Sequence, residues 1–222
     1  IRGAGCNFVR LAHYPHHPAE LDLCDEMGLL VMGEIPLYWW SSSGPERRTF
    51  RHKEAEARGQ LRRMIARDRN HPSVIFWSVS NETNDSEAPV RAANQRLIAY
   101  ARRLDPTRLV GHVSYHWPTY PHFAGDDVIF INCYLNFSPG GVEWPHGRPR
   151  VADSSAVLRR LLARLHTQYP NKPILIAEFG YPFVPGATHG RFREKLAGQA
   201  LEAEFKGMDA DYVCGTTVWC YA

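Results

Sequence analysis

Short apolar runs alternate with longer amphipathic segments along nearly the whole chain, and this alternation constrains the fold more than any other feature. The apolar runs predict seven strands: Cys6–Leu11, Leu29–Gly33, Val74–Val79, Leu109–Val113, Val128–Cys133, Ile174–Ala177 and Val213–Trp219. The segments between them predict five helices: Pro18–Met27, a long arginine-rich helix within Pro45–Asn70, Pro89–Leu104, Ser154–Tyr169 and Phe192–Met208. Apolar strands separated by helices indicate a parallel sheet that helices cover on both faces.

Two architectures fit this order, the (β/α)8 TIM barrel and the doubly wound open sheet. No glycine-rich phosphate-binding motif follows a strand, which disfavours the nucleotide-binding open sheets. In a barrel the chemistry lies at the carboxyl ends of the strands. Polar and aromatic residues occur there after nearly every predicted strand: Arg10, His13, Glu34, Asn81, Glu82, His112, Tyr115, Asn132, Tyr134, Glu178 and Trp219. We therefore expect one α/β domain over residues 1–222, a TIM barrel that lacks its first strand because that strand would precede Ile1.

The composition excludes several other classes of protein. Hydrophobic residues make up 44% of the chain, but no apolar run has the length of about 20 residues that a membrane-spanning helix needs. A net charge of +3 gives no reason to expect binding to nucleic acid. The five cysteines are odd in number and include no CxxC pair, so we expect no disulfide framework.

Glu82 and Glu178 are candidates for chemistry, because each lies where a predicted strand gives way to a loop. Two carboxyl groups that face one bond are what glycoside hydrolysis needs, one as proton donor and one as nucleophile or base. Each could equally cap a helix or pair with an arginine. Glu34 ends a strand in the same way, and periodicity alone does not choose two of the three.

Four stretches of the chain resemble glycoside hydrolase family 2, which includes β-galactosidases, β-glucuronidases and β-mannosidases. They are NFVRLAHYP at 7–15, DEMGL at 25–29, RDRNHPSVIFWSVSNE at 67–82 and ILIAEFG at 174–180. The resemblance implies a carbohydrate substrate with a terminal β-linked sugar and a retaining mechanism. A retaining enzyme holds its two carboxyl groups about 5–5.5 Å apart.

The resemblance also implies a role for each site residue. Glu82 would be the acid/base and Glu178 the nucleophile. Asn81 would bind the 2-hydroxyl of the sugar, Tyr134 would orient Glu178, and Arg10 would help to keep Glu178 ionised. Trp219 would form a wall of the sugar pocket, and His13 and Asn132 would be polar groups that line it.

The chain also departs from parts of the family. Aromatic residues 38–40 occupy the region where bacterial β-galactosidases carry a Glu-x-His magnesium site, so we expect no metal and no cofactor. This aromatic run could line the mouth of the pocket or form a hydrophobic plug beneath a neighbouring domain. β-Glucuronidases recognise the sugar carboxylate with an Asn-x-Lys motif beyond the last strand, a region that would follow Ala222. The sequence therefore does not decide whether the substrate is a glucuronide, a galactoside or a mannoside.

Three further expectations stay open at the level of sequence. The histidines at 13, 16, 17, 112, 116 and 122 could include zinc ligands, although we favour solvated or pocket-lining positions. The β-sandwich domains that usually flank this barrel are absent from the 222 residues, and a homo-oligomer could form through such domains. A barrel that binds carbohydrate or serves as a scaffold without catalysis, or an inactive fragment of an active parent, is the alternative to an active glycosidase.

Overall fold

A computed structural model describes residues 1–136, 149–190 and 192–220. Its seven strands are β1 (Phe8–Leu11), β2 (Leu30–Glu34), β3 (Val74–Asn81), β4 (Leu109–Ser114), β5 (Ile129–Cys133), β6 (Ile174–Phe179) and β7 (Val213–Val218). Its five α-helices are α1 (Pro18–Met27), α2 (Phe50–Asp68), α3 (Ala88–Leu104), α4 (Ser154–Gln168) and α5 (Glu194–Met208). No helix in the described ranges is long and apolar enough to span a bilayer.

The strands form one parallel sheet in which every neighbour in sequence is a neighbour in space, in the order β1 to β7. This is the expected fold, a TIM barrel without one strand. The two edge strands, β1 and β7, approach each other to within 8 Å between Cα atoms, so the barrel is nearly closed. Most of the residues in these edge strands are at least partly exposed, whereas β5 and β6 are buried throughout. The open side therefore lies between β1 and β7.

The predicted helix and strand positions are confirmed, and the differences are at their ends. Helix α1 ends where predicted, because Gly28 adopts a left-handed conformation with φ 65°. The helix predicted from Phe192 begins at Glu194, since Arg193 before it is extended. Glu34 and Glu178 were expected to follow their strands, but both lie within the last residues of β2 and β6.

Among the described residues, the buried apolar side chains form three clusters. One lies inside the barrel and is made by residues of the strands or directly before them: Met32, Phe76, Val113, Val128, Phe130, Leu175 and Ala177. The other two lie between the strands and the helices, one beneath α1 to α3 and one beneath α4 and α5. This packing fixes the strands and therefore the positions of the side chains at their carboxyl ends.

Two irregularities of the sheet bring functional side chains to the carboxyl end of the barrel. Ser78 of β3 pairs with Gly111 of β4, and Asn81 pairs with Val113. Between these two pairs β3 advances by three residues and β4 by two, so β3 carries one extra residue there. As a result Ser80 bonds Asn94 on α3 while Asn81 faces the barrel opening. An extra residue changes which face the following side chains occupy.

A similar irregularity occurs in β6. Ile176 of β6 pairs with Ile131 of β5, and Glu178 pairs with Asn132. Between these two pairs β6 advances by two residues and β5 by one, so β6 carries one extra residue. Ala177 belongs to the cluster inside the barrel, Phe179 belongs to a helix-facing cluster, and Glu178 lines the opening. Both candidate carboxylates thus follow or occupy a bulged strand end.

Candidate active site

A cavity of about 530 Å³ opens at the carboxyl ends of the strands. It brings together six residues that the sequence had singled out for the site: His13, Asn81, Glu82, Tyr134, Glu178 and Trp219. Its other lining residues are Tyr38, Trp39, Gly180, Tyr181 and Pro182. Arg10 and Asn132 lie beneath the floor and reach the lining carboxylates through hydrogen bonds. Glu82 and Glu178 therefore face one cavity although they come from strands far apart in the sequence.

Glu178 is held by two donors, one on each carboxylate oxygen. Arg10 donates from Nη1 to Oε1 at 2.6 Å, and the Tyr134 hydroxyl donates to Oε2 at 2.7 Å. The His13 Nε2 atom lies 3.8 Å from the same Oε1. These contacts fix the orientation of a carboxylate that is only 5% exposed.

The pKa of Glu178 is set by opposing effects. Burial raises it, the positive charge of Arg10 lowers it, and the negative charge of Glu82 raises it again. The hydrogen bonds from Tyr134 and Arg10 lower it further, yet the net pKa lies above the usual value for a glutamate. Arg10 and Tyr134 are thus the groups that favour the ionised form.

Glu34 is the third carboxylate, and its environment differs from that of the other two. It is fully buried, and Arg10 donates to it from Nη2 at 2.8 Å and from Nε at 3.2 Å. His13 contributes a further hydrogen bond of 2.7 Å through Nδ1. Burial alone raises the pKa of Glu34, but Arg10 and His13 lower it below the usual value. Glu34 does not line the cavity and serves as the buried counter-ion of Arg10.

Glu82 is more open to solvent than Glu178, and each of its carboxylate oxygens also has a donor. Asn132 donates from Nδ2 to Oε1 at 2.7 Å, and the Trp39 indole donates to Oε2 at 3.0 Å. Its backbone N–H donates to the carbonyl of Val113 on β4 at 3.0 Å. The carboxyl group is therefore held in place at the rim of the cavity.

Asn81 has its side-chain amide oriented by its neighbours. Its Oδ1 accepts hydrogen bonds from Arg10 Nη2 at 2.8 Å and from Asn132 Nδ2 at 3.1 Å. Because Oδ1 is used in this way, the Nδ2 group is left to donate toward the cavity. An amide N–H in this position can donate a hydrogen bond to the oxygen of a ligand hydroxyl group.

The aromatic run after β2 has two environments. Tyr38 and Trp39 line the cavity, while Trp40 is fully buried and stacks on Phe50 with ring centroids 4.3 Å apart. Trp219 forms another wall, with its ring centroid 5.0 Å from that of His13. Tyr38 and Trp39 therefore lie at the pocket mouth, one of the two predictions for the run, and Trp40 packs into the core of the barrel itself.

Sequence reasoning missed Gly180, Tyr181 and Pro182 as lining residues. The signal that could have found them is their position directly after the β6 strand, at the active end of a barrel.

The histidines after β1 make local contacts. The Nδ1 atom of His16 bonds Glu20, and that of His17 accepts from the backbone of Ala19 at the start of α1. In the described ranges no group of three or more metal-binding side chains converges on one point. The five cysteines are all free thiols.

A parallel barrel that presents carboxylates from two strand ends in one cavity defines a class, the TIM-barrel proteins with an acidic active site. Within that class, the chain belongs to glycoside hydrolase family 2. Residues 1–197 match the family model described as "Glycosyl hydrolases family 2, TIM barrel domain".

Individual relatives agree with this assignment. The β-glucuronidase of Rattus norvegicus is 32% identical over 234 residues, which cover 100% of this chain and 34% of the relative. A solved structure of β-D-glucuronidase from Dictyoglomus thermophilum is 29% identical, with a TM-score of 0.86 over 98% of this chain and 38% of that one. A β-glucuronidase from Ruminococcus gnavus in complex with uronic deoxynojirimycin is 25% identical, with a TM-score of 0.82 over 96% and 37%. The chain thus spans about a third of the length of the relatives that it matches.

Proposed function

We propose that this chain is the catalytic barrel of a retaining exo-β-glycosidase that removes terminal β-linked glucuronic acid. Glu82 serves as the acid/base and Glu178 as the nucleophile. The observation that carries the proposal is that both carboxylates line one cavity, each with hydrogen-bond donors on both of its oxygens. The choice of glucuronide over galactoside or mannoside is supported by the names of the relatives, which are β-glucuronidases.

The first step forms a covalent glycosyl-enzyme. A Glu178 oxygen attacks the anomeric carbon while the bond from that carbon to the leaving oxygen breaks and its electron pair goes to that oxygen. Glu82 gives its proton to the same oxygen, so the aglycone leaves as an alcohol. Arg10 and Tyr134 favour the ionised, nucleophilic form of Glu178 by donating to its two oxygens.

The second step hydrolyses this intermediate. Glu82, now ionised, takes a proton from water, and the water oxygen bonds to the anomeric carbon as the ester bond to Glu178 breaks. Asn81 donates to the 2-hydroxyl of the sugar through its Nδ2 group, a contact that strengthens in an oxocarbenium-like transition state. Glu178 regains its charge and its bonds to Arg10 and Tyr134.

A panel of nitrophenyl β-glucuronide, β-galactoside and β-mannoside tests the proposal on the full-length protein. We expect the glucuronide to be hydrolysed with the highest kcat/KM, and NMR of the first-formed sugar to show the β-anomer. Preference for another sugar with a β-anomer product would correct the substrate alone. A first-formed α-anomer would exclude the retaining mechanism, and no hydrolysis of any substrate would exclude the glycosidase.

A second candidate is that these 222 residues bind carbohydrate without turning it over. The observation that favours it is the exposed edge strand β7, whose carboxyl end leads to Trp219 in the cavity wall. An exposed edge leaves this wall less firmly supported than the walls from β5 and β6. Comparing kcat of the 222-residue chain with that of the full-length protein separates the two candidates.

A further inference from the structure

Trp39 and Glu82 form an unusual pair at the rim of the cavity. The indole N–H of Trp39 donates to Glu82 Oε2 at 3.0 Å. The two residues have φ values of 49° and 48°, and in the described part of the chain no other residue except glycine has a positive φ. A left-handed conformation costs a bulky residue about 1–3 kcal/mol and persists only where surrounding contacts enforce it. Such residues concentrate at functional sites.

Backbone hydrogen bonds enforce this conformation on both sides. Asn81 N–H donates to the Leu37 carbonyl at 2.8 Å, and Trp39 N–H donates back to the Asn81 carbonyl at 3.3 Å. Asn84 N–H donates to the Trp40 carbonyl at 2.7 Å. The segment after β2 is thus joined, residue by residue, to the segment that carries Glu82.

Side chains add two further anchors to the same segment. The Trp40 ring is fully buried beside Phe50, which fixes the chain on one side of Trp39. On the other side, Glu87 at the start of α3 accepts hydrogen bonds from the hydroxyls of Ser41, Ser42 and Ser43. Ser41 to Ser43 therefore link the β2–α2 loop to the β3–α3 loop by hydrogen bonds. This link holds Trp39 against Glu82.

The Trp39 ring itself is not part of the core. Trp39 is 70% exposed although its N–H is engaged and its ring makes a T-shaped contact with Tyr38, so most of the indole surface is open to solvent beside the Glu82 carboxyl. An exposed large aromatic side chain that lines a cavity is a surface on which a flat or apolar ligand group stacks. The contact with Glu82 places that surface next to one particular catalytic group.

We propose that Trp39 has two roles: its indole N–H positions the Glu82 carboxyl for proton transfer, and its ring is the platform on which an aromatic or flat apolar leaving group stacks. The inference rests on the proposed function, because it takes Glu82 as the acid. The proton of Glu82 goes to the oxygen that joins sugar and aglycone, so a ring bonded to that carboxyl lies on the aglycone side. The walls around Glu178, formed by His13, Tyr134 and Trp219, lie on the sugar side.

Two substitutions separate the two roles. Trp39→Phe removes the N–H and keeps an aromatic face, whereas Trp39→Leu removes both. Three β-glycosides of the sugar that the full-length wild-type protein prefers complete the design: phenyl, methyl and 2,4-dinitrophenyl. The first two need a proton from the acid and the third does not, whereas phenyl and dinitrophenyl groups can stack and methyl cannot. The measured quantity is kcat/KM, which reports the step in which the leaving group departs.

We expect Trp39→Phe to lower kcat/KM by about 10-fold for the phenyl and methyl substrates, as the loss of one hydrogen bond to a charged group does. The dinitrophenyl substrate should change by less than about twofold, because it departs without protonation. Trp39→Leu should lower kcat/KM for both aromatic substrates by a further factor of about 3–10, mainly through a higher KM, with no further loss for the methyl substrate.

The remaining outcomes decide against the inference. An equal loss on all three substrates would assign Trp39 a purely structural role, and unchanged kinetics would assign it none. If the wild-type protein hydrolyses none of them, the proposed function fails and takes this inference with it. Thermal unfolding of both variants checks that the fold is kept. The matched control is Tyr120→Leu, which removes an exposed ring that does not line the cavity.

Discussion

The Arg10 guanidinium lies 2.6 Å from Glu178 and bridges it to Glu34, so one buried cation serves two carboxylates with different roles. Glu34 is fully enclosed, whereas Glu178 reaches the cavity. The pKa of Arg10 is lowered by burial but raised more by the two carboxylates, so the cation is retained. The two carboxylates therefore share one cation and differ in whether they reach the cavity.

Glu178→Gln should abolish turnover and leave the fold intact. The amide is close in shape to the carboxylate and keeps an oxygen for Arg10, but it cannot attack the anomeric carbon. We expect kcat to fall by about 10⁴-fold or more, as for other lost nucleophiles, with a small change in melting temperature. A wild-type rate in this variant would remove Glu178 from the nucleophile role.

Glu34→Gln should act mainly on stability. Removing one partner of a buried ion pair costs about 3–5 kcal/mol. In this variant Arg10 keeps only Glu178 as a counter-ion, and His13 loses the carboxylate that it contacts at 2.7 Å. Chemical denaturation measures the free energy of unfolding, with Glu178→Gln as the matched carboxylate-to-amide control. An equal loss in the two variants would contradict the distinction between Glu34 and Glu178.

Tyr134→Phe should move the acid limb of the pH–kcat/KM profile to higher pH. The Tyr134 hydroxyl donates to the ionised Glu178 at 2.7 Å, so its loss raises the pKa of Glu178 further. A hydrogen bond to a charged group is worth about 1.5–3 kcal/mol, which corresponds to a shift of about one pH unit or more. An acid limb that stays in place would show that Tyr134 does not tune Glu178.

Asn81→Ala should lower kcat/KM by about 100-fold on the normal substrate, because a 2-hydroxyl contact supplies several kcal/mol in the transition state. The same variant should lose far less on a 2-deoxy substrate, which lacks the partner hydroxyl. Comparing both proteins with both substrates isolates this one contact. Equal losses on the two substrates would place the role of Asn81 elsewhere, such as in its bonds to Arg10 and Asn132.

His112 should make stability depend on pH. Burial lowers its pKa, but the charges of Asp126, 2.7 Å from Nδ1, and of Asp85, 3.4 Å from Nε2, raise it to about 10. The stabilisation is therefore complete below the unfolded value of about 6.5 and is lost as the pH rises through about 10.

Melting temperatures recorded from pH 6 to pH 10 test the role of His112. The wild type should become less stable across this range, and His112→Gln should be less stable at pH 6 by about 3–5 kcal/mol with a flatter profile. A wild-type profile as flat as that of the variant would show that the imidazole is neutral in the fold.

The local patterns of the chain predicted the fold because apolar runs alternate with amphipathic segments in the same order as strands alternate with helices. A short, wholly apolar run such as Val128–Cys133 is typical of a strand that is buried on both faces. Gly28 marks the end of a helix because glycine adopts the left-handed conformation without steric cost. The strand-end positions made Glu34, Glu82 and Glu178 candidates, and the family motifs chose Glu82 and Glu178 among them.

The tertiary structure decided how the environments of the three carboxylates differ. Which face of a strand a side chain occupies changes at a bulge, and the extra residues in β3 and β6 come from pairing with neighbouring strands, not from the local sequence. The enclosure of Glu34 by Arg10 and His13, and the contact of Trp39 with Glu82, likewise join residues that are 21 to 43 positions apart. Sequence determined which side chains stand at the strand ends, because periodicity is local. Their partners, burial and charge state depend on distances across the barrel, which no local pattern encodes.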